Sequence, residues 1–256
     1  MNSISVMRAG QCIAARKGEN EAQLLFLGQY QPGDELWFEC GGQHAIVSVD
    51  AAVLPARVYL PHGRLVYRLP LDGDNPLVYA PGAFAGERHV LSIQPDRGAE
   101  YRNLAQNAAD QRGDTNAYPH AVANVETRDE SVFCARNVLD GLHIANGHGV
   151  WPYQSWGIGA RTDAEITLTF GRPVRVDAMA LYLRADFPHD AYWVEGTVLL
   201  SDGYQQTFPL RMLDGEQRVE LGEHIVEWMR LLKLVKCDMP SAFPALRQWE
   251  VYGQEA

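Results

Sequence analysis

The feature that most limits what this chain can fold into is the brevity of its apolar runs. Stretches rich in Val, Leu, Tyr, Phe and Trp last a few residues each and are cut at close intervals by clusters of Gly, Pro, Asp and Asn. No long stretch carries apolar residues at helical spacing, so the hydrophobic pattern predicts an all-β chain. In the first hundred residues it predicts strands over 23–28, 35–39, 44–49, 56–60, 64–69 and 88–93, divided by turn chemistry at Gln31-Pro32-Gly33-Asp34 and Leu71-Asp72-Gly73-Asp74. Six short strands of this kind suggest an immunoglobulin-like sandwich.

Pro95-Asp96-Arg97-Gly98 closes that set, and a boundary placed there gives an N-terminal β-sandwich domain over 1–98 and a second domain over 99–256. Further strands are predicted over 165–170, 174–184, 193–201, 205–211, 216–221, 226–236 and 246–252, with hairpin signals at Gly171-Arg172-Pro173 and Ser201-Asp202-Gly203. Between 103 and 163 there is little strand pattern. A loop-rich stretch of that length on a rigid scaffold is usually where function sits.

Charge narrows the partners. With 256 residues and 46% hydrophobic content the chain can fill one large core or two ordinary ones. A formal charge of −10 and a pI near 5.2 argue against nucleic acid or an anionic membrane, both of which need a basic footprint. The opening Met1-Asn2-Ser3-Ile4-Ser5-Val6-Met7-Arg8 has no basic segment followed by an apolar one, and the expectation is a cytoplasmic, bacterial protein. Cys12, Cys40, Cys134 and Cys237 show no metal or disulfide spacing and are read as free thiols, with Cys134 and Cys237 packed in apolar contexts.

Three clusters could carry chemistry. Tyr118-Pro119-His120-Ala121 with Glu126-Thr127-Arg128 offers donors for hydroxyls or a carboxylate, unless Arg128 merely pairs with Glu126, Asp129 or Glu130. Gly147-His148-Gly149-Val150-Trp151-Pro152-Tyr153-Gln154-Ser155-Trp156-Gly157 offers ring faces for stacking on a pyranose, with Trp156 read instead as a plug of the sandwich interior. In Leu183-Arg184-Ala185-Asp186-Phe187-Pro188-His189-Asp190-Ala191-Tyr192-Trp193, alternation puts Arg184 and Asp186 on one face at a strand end. Donors, acceptors and a stacking plane then converge as polyol recognition requires, or an Arg184–Asp186 pair simply ties the loop.

The run Ala135-Arg136-Asn137-Val138-Leu139-Asp140-Gly141, then Trp156, then Ile166-Thr167-Leu168-Thr169-Phe170-Gly171 with Val174-Arg175-Val176-Asp177, and finally Gln248-Trp249-Glu250-Val251-Tyr252-Gly253 resemble, in kind and order, the discoidin or coagulation-factor type C domain of the galactose-binding-domain-like superfamily. The resemblance covers roughly 103–253. Pro119–Gly141, Trp151–Trp156 and Arg184–His189 also resemble a bacterial group described as carbohydrate-binding proteins. The resemblance implies an eight-stranded jelly roll that binds glycans, or lipids in the clotting members, through loops at one end. It further implies a structural calcium ion near Asp140 and Glu250, with the carbonyl of Asn137 contributing. The chain departs from the family in the long loop after Asp140, where Leu142-His143-Ile144-Ala145-Asn146 replaces an Asp/Thr-rich turn.

The leading expectation is therefore a carbohydrate-binding protein, needing no cofactor beyond that calcium, whose site joins His120, Arg128, Trp151, Tyr153, Arg184, Asp186, His189 and Trp193. Its arginines and histidines lean towards a uronate. The alternatives are a sugar-active hydrolase or lyase using Glu126, Asp186 or His189, and an assembly module docking through the aromatic loop. Two carboxylates in one deep pocket would favour the enzyme, and a shallow aromatic platform would favour binding. The N-terminal half matches no motif and is expected to pack on the second domain, with its surface available for a homodimer.

Overall fold

Strict alternation decides which side chains of the first hundred residues go inside. In the computed structural model, which describes residues 1–98, 100–113, 115–185 and 191–256, β3 (Ala22–Leu27) turns Ala22, Leu24 and Phe26 inward and Gln23, Leu25 and Leu27 outward. The same rule buries Leu36 and Phe38 of β4 (Glu35–Glu39), Ala45 and Val47 of β5 (His44–Ser48), Ala56 and Val58 of β6 (Ala56–Tyr59), Leu65 and Tyr67 of β7 (Arg64–Arg68), and Leu91 and Ile93 of β8 (Arg88–Pro95). These are the six strands that the pattern predicts. Two more precede them, β1 (Asn2–Arg8) and β2 (Gln11–Gly18), and β2 is exposed at nearly every position, so it has no apolar face to announce it.

The eight strands form two antiparallel sheets, β2-β1-β4-β7 and β3-β8-β5-β6. Pairs β4–β7 and β5–β8 correspond to the B–E and C–F pairs of an immunoglobulin-like sandwich. The strand beside β8, where the last strand of that fold would lie, is β3 from earlier in the chain.

The second sandwich is built from β9 (Arg102–Asn103), β10 (His120–Ala123), β11 (Trp156–Gly157), β12 (Ile166–Leu183), β13 (Trp193–Leu200), β14 (Gln205–Pro209), β15 (Gln217–Lys236) and β16 (Ala245–Glu255). Its order is β11-β16-β12-β15-β13-β14, with β10 also on β12 and β9 on β16. Predicted strands 165–170 and 174–184 prove to be one long strand, β12, and 216–221 and 226–236 are one strand, β15. The register of β12 against β15 jumps between Thr169 and Val174, so each long strand bends there and serves both layers. Gly171 sits in that bend at φ +70°, where a Cβ would lie 2.4 Å from the Tyr118 ring. Trp156, Phe170, Met179, Leu181, Trp193, Met229 and Trp249 fill the jelly-roll interior between the layers.

The stretch between the sandwiches belongs to both. Ala109, Ala117, Val132, Phe133 and Tyr153 enter the N-terminal interior, while Leu104, Ala121, Val138, Leu139 and Ile158 enter the C-terminal one. Backbone bonds between Tyr59 and Tyr118, at 2.8 and 2.9 Å, and the Asp74 carboxylate accepting from the Ser131 N–H and hydroxyl, at 2.7 and 2.9 Å, fasten it to the first sandwich. A buried loop must find partners for its backbone. Asn137 supplies two, its amide donating to the carbonyls of Ser131 and Ser155 at 2.9 and 3.3 Å.

Candidate functional site

Four chain segments meet at one end of the C-terminal sandwich. β11 pairs with the start of β16, Gly157 opposite Ala245, and the Ala245 carbonyl accepts from the Arg184 N–H at 2.9 Å. The connection from β15 to β16 therefore ends beside the 127–133 turns, and Phe243 and Pro244 close over Thr127, Phe133 and Ile158 around a pocket of ≈ 130 Å³. Phe243 keeps 53% of its surface exposed, and exposed His148 and Arg128 stand at the rim.

The turn that carries Arg128 is strained. Arg128 and Asp129 both adopt left-handed conformations, at φ 53° and 58°, which side-chain-bearing residues seldom occupy. The turn is held in place by the Thr127 hydroxyl, which accepts from the Gly159 N–H at 2.8 Å. Arg128 lies over the Phe133 ring, 5.4 Å from its centroid, and is paired in bidentate fashion with Glu130 at 2.5 and 2.8 Å. Each charge steadies the other, raising the guanidinium pKa and lowering that of the Glu130 carboxyl. Of the two readings of Arg128, the ion pair is thus realised, yet at the edge of a pocket.

Among the described residues, the other expected ligand residues do not gather there. Trp193 is 1% exposed and packs against Trp156, ring centroids 6.2 Å apart, so its ring has no face to offer. Trp156 is the interior plug its context suggested, its indole N–H donating to the Val125 carbonyl at 2.9 Å. Arg184 is wholly buried and donates to the carbonyls of Tyr153 and Gly147, fixing the 147–153 loop on the end of β12. Tyr153 is buried in turn, in the N-terminal interior. His120 lies on β10 with its Nδ1 2.7 Å from Asp110, and Trp151 lines a separate cavity at the junction of the sandwiches. Asp186 and His189 lie outside the described residues.

The calcium expectation can be tested on the donors themselves. Both Asp140 oxygens accept protein hydrogen bonds, from Gln248, Leu142 N–H and Gln154 at 2.5, 2.8 and 2.7 Å. Glu250 accepts from Tyr252 at 2.7 Å and lies 2.9 Å from His143 Nε2, and the Asn137 carbonyl accepts from Gln248 at 2.9 Å. Among the described residues no three His, Cys, Asp or Glu side chains cluster as metal ligands. These groups are satisfied by other partners within the protein and as placed do not fit an oxygen cage for Ca²⁺.

Nor does an acid–base pair converge on the shelf, whose lining contains no carboxylate among the described residues. Glu126 is committed to Arg112 and to the Ala135 N–H, the latter at 2.7 Å. Phe243 is the residue that the sequence reading missed. Its one signal was an aromatic between Ser241-Ala242 and Pro244, directly before a strand.

No family model matches the chain, and no curated protein resembles it significantly in sequence. Some solved structures are similar to it in three dimensions. A chitosan-binding module of a chitosanase/glucanase from Paenibacillus sp. IK-5 is 18% identical, with TM-score 0.42, and the match covers 59% of this chain and 99% of that one. A family 32 carbohydrate-binding module from C. perfringens, in complex with galactose, is 13% identical with TM-score 0.40 and coverage of 52% and 91%. A Streptococcus pneumoniae fucose-binding module is 12% identical with TM-score 0.41 and coverage of 60% and 99%.

Proposed function

We propose that this chain is a carbohydrate-binding protein whose ligand docks on the shelf formed by Phe243, His148 and Arg128. The observation that carries the reading is the half-exposed Phe243 ring on an apolar floor. An aromatic left open beside polar groups matches a sugar, which presents C–H bonds on one face and hydroxyls around its edge. Arg128 and His148 supply polar groups for those hydroxyls. A uronate fits the same shelf by taking the place of Glu130 on the guanidinium.

The test is a glycan array followed by calorimetry on the best sugar, with Phe243→Ala as the probe. Loss of the ring should weaken binding about tenfold, the equivalent of roughly 1.4 kcal/mol, with the unfolding midpoint unchanged. If no neutral sugar or uronate binds at millimolar concentration, or if Phe243→Ala binds as tightly as the parent, the reading fails.

A further inference from the structure

A second concavity lies at the junction of the two sandwiches and is built around a buried arginine. Arg136, in the 135–139 turn, is 5% exposed. Its Nε donates to the Asp110 carbonyl at 2.8 Å, one Nη to the Ala108 carbonyl at 2.9 Å, and the other to Asn137 Oδ1 at 3.4 Å. Three of the five N–H donors of a guanidinium are thus used. The other two have no partner among the described residues, and no carboxylate there comes within ion-pair distance. A buried charge in that state is costly unless something pairs with it.

The nearby carboxylates are committed elsewhere. Asp110 accepts from the Ala121 N–H at 3.1 Å and lies 2.7 Å from His120 Nδ1. Asp140, which shares the cavity with Arg136, has its oxygens taken by Gln154, Gln248 and the Leu142 N–H. Burial pushes its carboxyl up towards the neutral form, against the Arg136 charge and those donors.

A second, independent donor belongs to a residue that borders the same space. The Trp151 indole nitrogen is buried without a hydrogen-bond partner, and Trp151 lines this cavity. The cavity holds ≈ 120 Å³, and its remaining walls are apolar, with Leu54, Val78 and Ala80 from the first sandwich and Ala108 and Leu142 from the second side. Tyr79 lies under the Arg136 guanidinium, 5.5 Å from centroid to carbon. That volume is on the scale of an apolar cavity of about 150 Å³ that accepts benzene. Two side chains with unmatched N–H donors and an apolar body of this size define one kind of guest.

We propose that the junction cavity is a binding site for a small organic carboxylate with an apolar body, its carboxylate held by Arg136 and the Trp151 N–H. The guest touches both sandwiches, so binding also fastens one to the other. The site is separate from the Phe243 shelf and does not depend on it.

Benzoate is the probe, with isosteric neutral benzamide as the control, titrated calorimetrically into the full chain. Benzoate should bind saturably and raise the melting temperature, with benzamide at least tenfold weaker. Trp151→Phe should weaken benzoate severalfold, and Arg136→Gln should abolish binding. Because Arg136→Gln also strips the Asp110 and Ala108 carbonyls of their donors, Ala80→Leu provides a second variant that leaves Arg136 and Trp151 in place and fills the cavity. It should fold and exclude benzoate. Phe243→Ala, directed at the shelf, should leave benzoate affinity as it is. Absence of saturable binding at millimolar benzoate, equal affinity for benzamide, undiminished binding to Ala80→Leu, or galacturonate binding better than benzoate would overturn the proposal.

Discussion

The shelf and the junction cavity each have an arginine, and they treat it in opposite ways. Arg128 is exposed on a strained turn and paired with Glu130, whereas Arg136 is buried among backbone carbonyls with no carboxylate at ion-pair distance among the described residues. An exposed ion pair contributes between nothing and about 1 kcal/mol, so a ligand can displace Glu130 from Arg128 at little cost. A buried guanidinium cannot be rearranged so cheaply, because each carbonyl it serves would be left unsatisfied. The first geometry suits exchange of ligands in the open. The second suits a guest that becomes part of the interior.

The sharpest test of that contrast is another buried arginine, Arg184. If the 147–153 loop is held as described, Arg184→Met should destabilise the chain by about 3 kcal/mol in urea unfolding, since it strips the carbonyls of Tyr153 and Gly147 of a donor. The loop also carries His148 to the shelf and Trp151 to the junction, so both sites should weaken together. Loss of sugar binding at unchanged stability would return Arg184 to the role of a ligand residue and break the distinction drawn between buried and exposed arginines.

The same contrast explains what could be read from the sequence. Strands with one buried face, such as β3 to β8, announce themselves through period-two alternation, and β2 fails to because both its faces are wet. Gly171-Arg172-Pro173 reads as a hairpin but is a bend within β12, since turns and bulges draw on the same residues. The loop clusters were read as exposed because they are polar and aromatic without periodicity. In fact the 104–158 stretch is packed between two interiors, which turns Tyr153 inward, and the end of β12 takes Arg184 with it. Burial of a loop against a second domain leaves no periodic trace. Phe243 and Arg136 were therefore the hardest residues to find, although Arg136 stands inside the stretch Ala135–Gly141 that carries the family resemblance.

A smaller effect is expected where the sandwiches meet a second time, around Glu255. Its carboxylate accepts from Arg172 at 2.5 and 2.7 Å and from Arg102 at 3.0 Å, and lies 3.9 Å from His44 of the first sandwich. Burial alone would raise its pKa, but Arg172 and the other positive groups bring it below the ordinary carboxylate value. A depressed carboxylate stabilises the fold above its unfolded pKa, and that contribution disappears as pH falls through the folded value. Glu255→Gln should accordingly cost about 1 kcal/mol at pH 7, and the gap between variant and parent should close below roughly pH 4. A gap that persists in acid would mean that the contacts of Glu255 are steric, and that the two halves are joined chiefly through the Arg136 region.

The smallest effect separates strain from charge at the shelf. Arg128 occupies a left-handed conformation that glycine adopts without penalty, so Arg128→Gly should relieve strain while giving up a surface ion pair of comparable size. Stability should then rise by about 0.5 kcal/mol or remain level, and sugar affinity should fall. Arg128→Gln keeps a side chain in the strained conformation and should show no gain. A fall in stability on Arg128→Gly would mean that the pair with Glu130 and the stacking on Phe133 outweigh the backbone strain. The turn would then hold Arg128 for structural reasons, and the shelf would have to recognise its ligand through Phe243 and His148.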